Sequence, residues 1–102
     1  MVLLDLCSAD DVAPGIAIRV DSGDLQLAVY NIDGDYFVTD DICTHGRASL
    51  SDGYIEGDVV ECSLHSGKFN IKTGAVVSLP CTEPIKTYKT TVENGRVLIY
   101  KE

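Results

Sequence analysis

Turn pairs containing glycine divide this chain into short apolar runs, and that punctuation constrains its fold more than any other feature. Asp33-Gly34, Thr73-Gly74 and Asn94-Gly95 each separate two such runs, and pairs of this kind tolerate the backbone angles of a tight hairpin. The runs themselves read as strands: Ile16–Val20, Leu25–Tyr30, Tyr36–Val38, Val59–Cys62, Lys68–Ile71, Ala75–Val77, Ile85–Tyr88, Thr90–Val92 and Arg96–Tyr100. Asp21-Ser22-Gly23 is expected to turn the first of these into the second. The one helical signal is Ser8 as an N-cap before Ala9-Asp10-Asp11, with Pro14-Gly15 stopping it after about one turn. Strands this short and regular predict one all-β domain over residues 1–102, an antiparallel β-sandwich or barrel.

Sixteen acidic residues against eight basic ones give a formal net charge of -8. A surface of that sign repels nucleic acid and anionic membranes and favours partners with basic docking faces. The N-terminal apolar residues Val2 to Leu4 are interrupted by Asp5 and carry no basic leader. Neither a signal peptide nor a membrane anchor is expected, and a cytoplasmic location follows. In a reducing compartment the four cysteines read as ligands, catalysts or buried thiols before disulfides.

Cys43-Thr44-His45-Gly46 and Cys62-Ser63-Leu64-His65-Ser66-Gly67 are two tight Cys/His pairs, with sixteen residues between His45 and Cys62. The only two histidines of the chain fall inside them. A single cysteine is most often a buried apolar residue, and a single surface histidine is usually idle. Two independent mixed pairs flanking one hairpin-sized insert argue against that reading, because thiolate and imidazole together suit borderline metals.

On these residues the chain resembles the Rieske ferredoxin family, and the resemblance extends from the first expected strand to Tyr100. It implies the Rieske iron–sulfur fold, with a small cluster-binding subdomain at about residues 41–82 inserted in the β base. It implies one [2Fe–2S] cluster, with Cys43 and Cys62 on one iron and His45 and His65 on the other. Ser51-Asp52-Gly53-Tyr54-Ile55-Glu56-Gly57 is similar to the ferredoxins that serve aromatic-ring dioxygenases, and Pro80 resembles the proline of a third loop over the cluster. Gly46 and Gly67 are expected to let the backbone approach the cluster.

Two thiolates balance the oxidised core, so an added electron meets less repulsion than in a four-cysteine site. Respiratory Rieske proteins carry an extra cysteine in each loop, where this chain has Ala48 and Leu64. They also carry a Ser and a Tyr beyond the last histidine, where this chain has Gly67 and Phe69. Fewer hydrogen bonds to sulfur place the chain on the low-potential branch. A structural zinc module would pair Cys with Cys and His with His, and a thiol redox enzyme would need Cys-x-x-Cys; neither pattern is present. A Rieske-like reductase subunit is the alternative within the family.

No catalysis of its own is expected, since both histidines are already assigned. The resemblance implies a monomeric carrier between a flavin-dependent NAD(P)H ferredoxin reductase and a terminal ring-hydroxylating oxygenase. Asp40, Asp41 and Asp52 are expected to form an acidic rim around the histidines, with Leu50 or Leu64 as an apolar alternative for docking; the equal alternative for Asp40 and Asp41 is that they are ordinary solvated turn residues. Cys7 and Cys81 match no ligand position and are expected to be buried or half-buried free thiols, with a regulatory thiol as the alternative.

Overall fold

From Leu27 to Ile32 every residue is buried, so this strand is enclosed on both faces. The computed structural model describes residues 2–44, 48–63, 67–78 and 83–101. In it the strand, β3 (Leu25–Ile32), lies second in a sheet ordered β2-β3-β4-β9, with β2 at Ala17–Ser22, β4 at Asp35–Asp40 and β9 at Thr87–Tyr88. Side chains alternate between the faces of a strand, and β3 uses both. Leu27 and Val29 enter a core with Cys7, Val12, Val38, Val97 and Ile99. Ala28, Tyr30 and Ile32 enter a second core with Cys43, Ala48, Leu50, Val60, Cys62, Phe69, Ile71 and Ile85. The second core contains both cysteines of the Cys/His pairs.

A three-stranded sheet closes the first core, in the order β1-β11-β10, with β1 at Val2–Ser8, β10 at Thr90–Glu93 and β11 at Arg96–Lys101. A third sheet, β5-β6-β7-β8, covers the second core, with β5 at Tyr54–Glu56, β6 at Val59–Glu61, β7 at Lys68–Asn70 and β8 at Val76–Ser78. All strand pairs named here are antiparallel, as the turn pattern predicts. Across the third sheet Ile55, Val60, Phe69 and Val76 pair in one row. They are also the residues it packs against the core.

Asp33 and Asn94 both adopt positive φ, at 53° and 52°, followed by Gly34 at 92° and Gly95 at 76°. These are the mirror-image turns whose twist matches the flanking strands. Ser8 caps a single 3₁₀ turn at Ala9–Asp11 through a reciprocal box with Asp11.

Three local expectations change. Asp21 and Ser22 belong to β2, paired with Gln26 and Leu25, because Gly23 at φ 58° supplies the turn one step later. β1 was hidden by Asp5, which is exposed and held by Arg96 with Nη2 at 2.9 Å; a charge is tolerated where a strand faces solvent. β5 was hidden because Tyr54 and Glu56 both face outward, leaving a single partly buried apolar residue to mark it. Among the described residues no helix is long and apolar enough to cross a membrane.

Candidate metal centre

The first Cys/His pair sits on a narrow neck that the sequence alone does not reveal. The Asp41 N–H donates to the Gln26 carbonyl at 2.8 Å, anchoring the neck to β3. The Leu50 N–H donates to the Asp41 carbonyl at 2.6 Å, and Ile42 bridges Ser49 in antiparallel fashion. The last rung is the Cys43 N–H on the Ala48 carbonyl at 2.9 Å. His45 belongs to the loop beyond that rung and lies outside the described residues.

The second pair closes in the same way, on the hairpin between β6 and β7. The Cys62 N–H donates to the Gly67 carbonyl at 2.8 Å. His65 lies in that loop and is likewise outside the described residues. In both loops the cysteine amide is bonded to the carbonyl five residues on, although one pair is Cys-x-His and the other Cys-x-x-His. The closure therefore fixes the cysteine backbone alike in both. Cys43 is 3% exposed and Cys62 1%; backbone rungs and core packing hold both in one apolar cluster.

A third segment approaches from the chain beyond β8. Thr44 Oγ1 donates to the Glu83 carbonyl at 2.8 Å, and the Ile85 N–H donates to the Gly74 carbonyl at 2.9 Å. These bonds tether the first loop and the β7–β8 turn to residues 83–85. Pro80 and Cys81 lie outside the described residues, as do Gly46 and Leu64. Cys7, as expected, is a buried free thiol. Burial pushes it above its ordinary range, with Asp11 adding to the effect, so it is poorly suited to act as a thiolate.

The acidic rim is corrected at Asp41. Asp41 is fully buried: its Oδ1 accepts the Ser51 N–H at 2.9 Å, and its Oδ2 is 3.8 Å from Arg19 Nε. Asp40 is half-buried and accepts the Tyr88 hydroxyl at 2.6 Å. Only Asp52 of the three is exposed. Leu50 is also excluded as a docking residue, since it is buried beneath the neck. Sequence reasoning missed Ser51, Arg19 and Thr44 as supports of the site, and their ordinary composition offered no signal for them.

Residues 3–89 match the family described as the Rieske [2Fe-2S] domain. The chain is 49% identical over 100 residues to the biphenyl dioxygenase ferredoxin subunit of Pseudomonas sp. (strain KKS102), covering 97% of this chain and 92% of that protein. Its structure resembles the Sphingomonas yanoikuyae B1 ferredoxin with a TM-score of 0.94 and 47% identity, over 99% of this chain and 100% of the other. It also resembles a chain in a complex of reduced oxygenase and oxidized ferredoxin in carbazole 1,9a-dioxygenase, with a TM-score of 0.90 and 43% identity, over 96% and 92% of the two chains.

The described residues fit the group this family implies. Two thiols converge on one apolar cluster, each at the mouth of a loop that carries a histidine in sequence. Thiolate and imidazole are the donors an iron–sulfur centre of this type takes. From its matched residues, its relatives and the build of its two loops, the chain belongs to the Rieske [2Fe-2S] domain family.

Proposed function

We propose that the protein is a one-electron carrier of an aromatic-hydrocarbon dioxygenase system, passing electrons from a flavin-dependent NAD(P)H ferredoxin reductase to the terminal oxygenase. The observation that carries this reading is the near full-length identity of 49% to a dioxygenase ferredoxin subunit. The ferredoxin likeness in a complex with an oxygenase supports the second partner. In this reading the protein is a monomeric, cytoplasmic electron-transfer component and not itself a catalyst.

Cys43, His45, Cys62 and His65 hold the cluster, within a unit spanning about residues 41–82. When bound, the cluster accepts and releases a single electron. The chain's own residues make that exchange repeatable. The two i-to-i+5 closures fix the cysteine backbones, the row Ile55, Val60, Phe69 and Val76 excludes water beneath them, and the Thr44 bond to Glu83 ties two loops together. A site held this rigidly reorganises little when its charge changes.

Reconstitution tests the proposal: a reductase and terminal oxygenase of the biphenyl type, NADH and biphenyl, with and without this protein. Substrate hydroxylation is expected only when the protein is added. Equal hydroxylation without it, or protein that purifies with stoichiometric zinc and no sulfide, would overturn the reading.

A further inference from the structure

Asp41 is a fully buried acid whose bond to the neck needs only an acceptor oxygen. Its Oδ1 accepts the Ser51 N–H at 2.9 Å, a bond that an asparagine carbonyl would also accept. Its Oδ2 is buried and has no hydrogen-bond partner among the described residues. The nearest cation described is Arg19, whose Nε is 3.8 Å from Asp41 Oδ2 but 3.0 Å from Asp21 Oδ1. Arg19 also donates from Nη1 to Ser49 Oγ at 3.4 Å. The guanidinium is shared, and its Nε bond goes to the exposed acid rather than the buried one. Among the described residues the buried carboxylate has little compensation, which is costly, and the Ser51 bond itself needs only an acceptor oxygen.

We propose that the Asp41 carboxylate is a potential-setting charge, a fixed anion under the first loop that disfavours reduction of the cluster, with Arg19 as its partial counter-charge. This rests on Cys43 being a ligand. Asp41 is two residues from Cys43, so their Cα atoms are within about 7 Å. The neck rungs at Asp41, Ile42 and Cys43 hold that relation constant. Reduction adds one negative charge to the centre, and a buried anion opposes that addition with little screening by salt. The exposed carboxylates that make up most of the net charge of -8 are screened and act far more weakly. Asp41 thus touches the redox chemistry through its field and the neck through its Oδ1, and only the second function survives in asparagine.

The test is a redox titration of the cluster-loaded protein, followed by its visible spectrum, for wild type, Asp41→Asn, Arg19→Gln and Asp52→Asn. At a fixed ambient potential Asp41→Asn is expected to raise the reduced-to-oxidised ratio on the order of tenfold. Arg19→Gln, which leaves the buried acid less compensated, is expected to lower the ratio, by less because that side chain is 40% exposed. Asp52→Asn removes an exposed carboxylate from the 3₁₀ turn Leu50–Asp52 just after the neck and is expected to leave the ratio unchanged. An intact cluster whose ratio does not move in Asp41→Asn overturns the inference, as does an equal shift in Asp52→Asn. Should Asp41→Asn fail to hold its cluster, Asp41→Ala, which removes the charge without adding an amide donor beside Arg19, decides by the same ratio: a rise supports the inference, and no change or a fall overturns it. Failure of the ligand reading looks different, as wild-type protein without iron and sulfide in equal amounts.

Discussion

Tyr88 donates its hydroxyl to Asp40 Oδ1 at 2.6 Å, joining β9 to the end of β4 just before the first Cys/His loop. One carboxylate near the site is thereby committed to the fold. With Asp41 buried as well, electrostatic steering toward basic partners falls to exposed acids such as Asp52. Asp52→Lys is expected to lower the association rate with the terminal oxygenase several-fold at low salt, and the difference should fade as salt rises above about 0.1 M. Stopped-flow electron transfer across a range of ionic strength checks this. A rate that is flat or rising with salt would leave docking to apolar contacts.

The ligand assignment predicts two irons and two sulfides per chain, lost on changing either buried cysteine of the pairs. Cys43→Ser and Cys62→Ser are expected to abolish the visible absorption. Cys7→Ser is expected to keep it, because Cys7 lies in the other core, among Val12, Val97 and Ile99. Its cost is about 1–3 kcal/mol of stability from burying a hydroxyl. Iron and sulfide analysis with urea unfolding separates the two outcomes. A Cys7 variant that loses iron would show that the two cores are coupled more tightly than their packing suggests.

Much of the fold was legible because hairpin turns and β-branched runs are local signals. Asp33-Gly34 and Asn94-Gly95 adopt the positive φ their residue types predict, and the strands on either side follow. The Cys/His pairs were legible for a different reason: few side chains bind iron, and they fall in two clusters. What the sequence concealed depends on partners distant in the chain. Asp41 reads as one more solvated acid until β2 and Ser51 close over it, and Asp40 reads likewise until Tyr88, 48 residues on, reaches it. Leu50 reads as exposed loop apolar until the neck turns it into the core.

Gly74 marks where the second core meets residues 83–85, beyond β8. Its φ is +79°, and a Cβ there would collide with the Ile85 carbonyl oxygen, which belongs to backbone that cannot swing aside. Gly74→Ala is expected to cost about 2–4 kcal/mol, through strain in the left-handed region and displacement of residues 83–85. Because Thr44 is bonded to Glu83, cluster retention should fall along with stability. Gly95→Ala has a similar φ of +76° but no heavy atom within 4 Å of the new Cβ, so it is expected to cost only about 1 kcal/mol. Equal losses in the two variants would assign the effect to backbone strain alone.

Two phenols predict the behaviour at high pH. Burial raises the Tyr30 pKa well beyond the ordinary range, partly opposed by its hydrogen bond with Thr39. Tyr88 is raised by burial and then by Asp40. Because these phenols hold their protons longer when folded, their contribution is complete below about pH 10, the unfolded value, and declines as pH rises above it. The urea midpoint is expected to hold from about pH 8 to about pH 10 and then fall. Tyr30→Phe should flatten part of that fall while costing about 1 kcal/mol at neutral pH for the lost hydrogen bond. An unaltered slope would show that other groups govern alkaline unfolding.

The potential itself can be predicted from what surrounds the second loop. Phe69 is fully buried on the inner face of β7, next to Val60 and Val76 in register, and it presents no hydroxyl to the site. Gly67 likewise offers only backbone, and its carbonyl is already used by the Cys62 amide at 2.8 Å. With those donors missing and an acid buried at Asp41, the midpoint is expected near the bottom of the Rieske range, on the order of −150 mV. Phe69→Tyr and Gly67→Ser together are expected to raise it, because hydroxyl donors to cluster sulfur stabilise the reduced, more negative state. The backbone should tolerate the tyrosine better than the serine, since Phe69 already fills an aromatic-sized space, whereas Gly67 is buried between Cys62 and β7. Protein-film voltammetry on the single and double variants checks the order. A clearly positive wild-type value would show that bonds other than these set the potential, and a double variant with wild-type potential would show that the new hydroxyls do not reach sulfur.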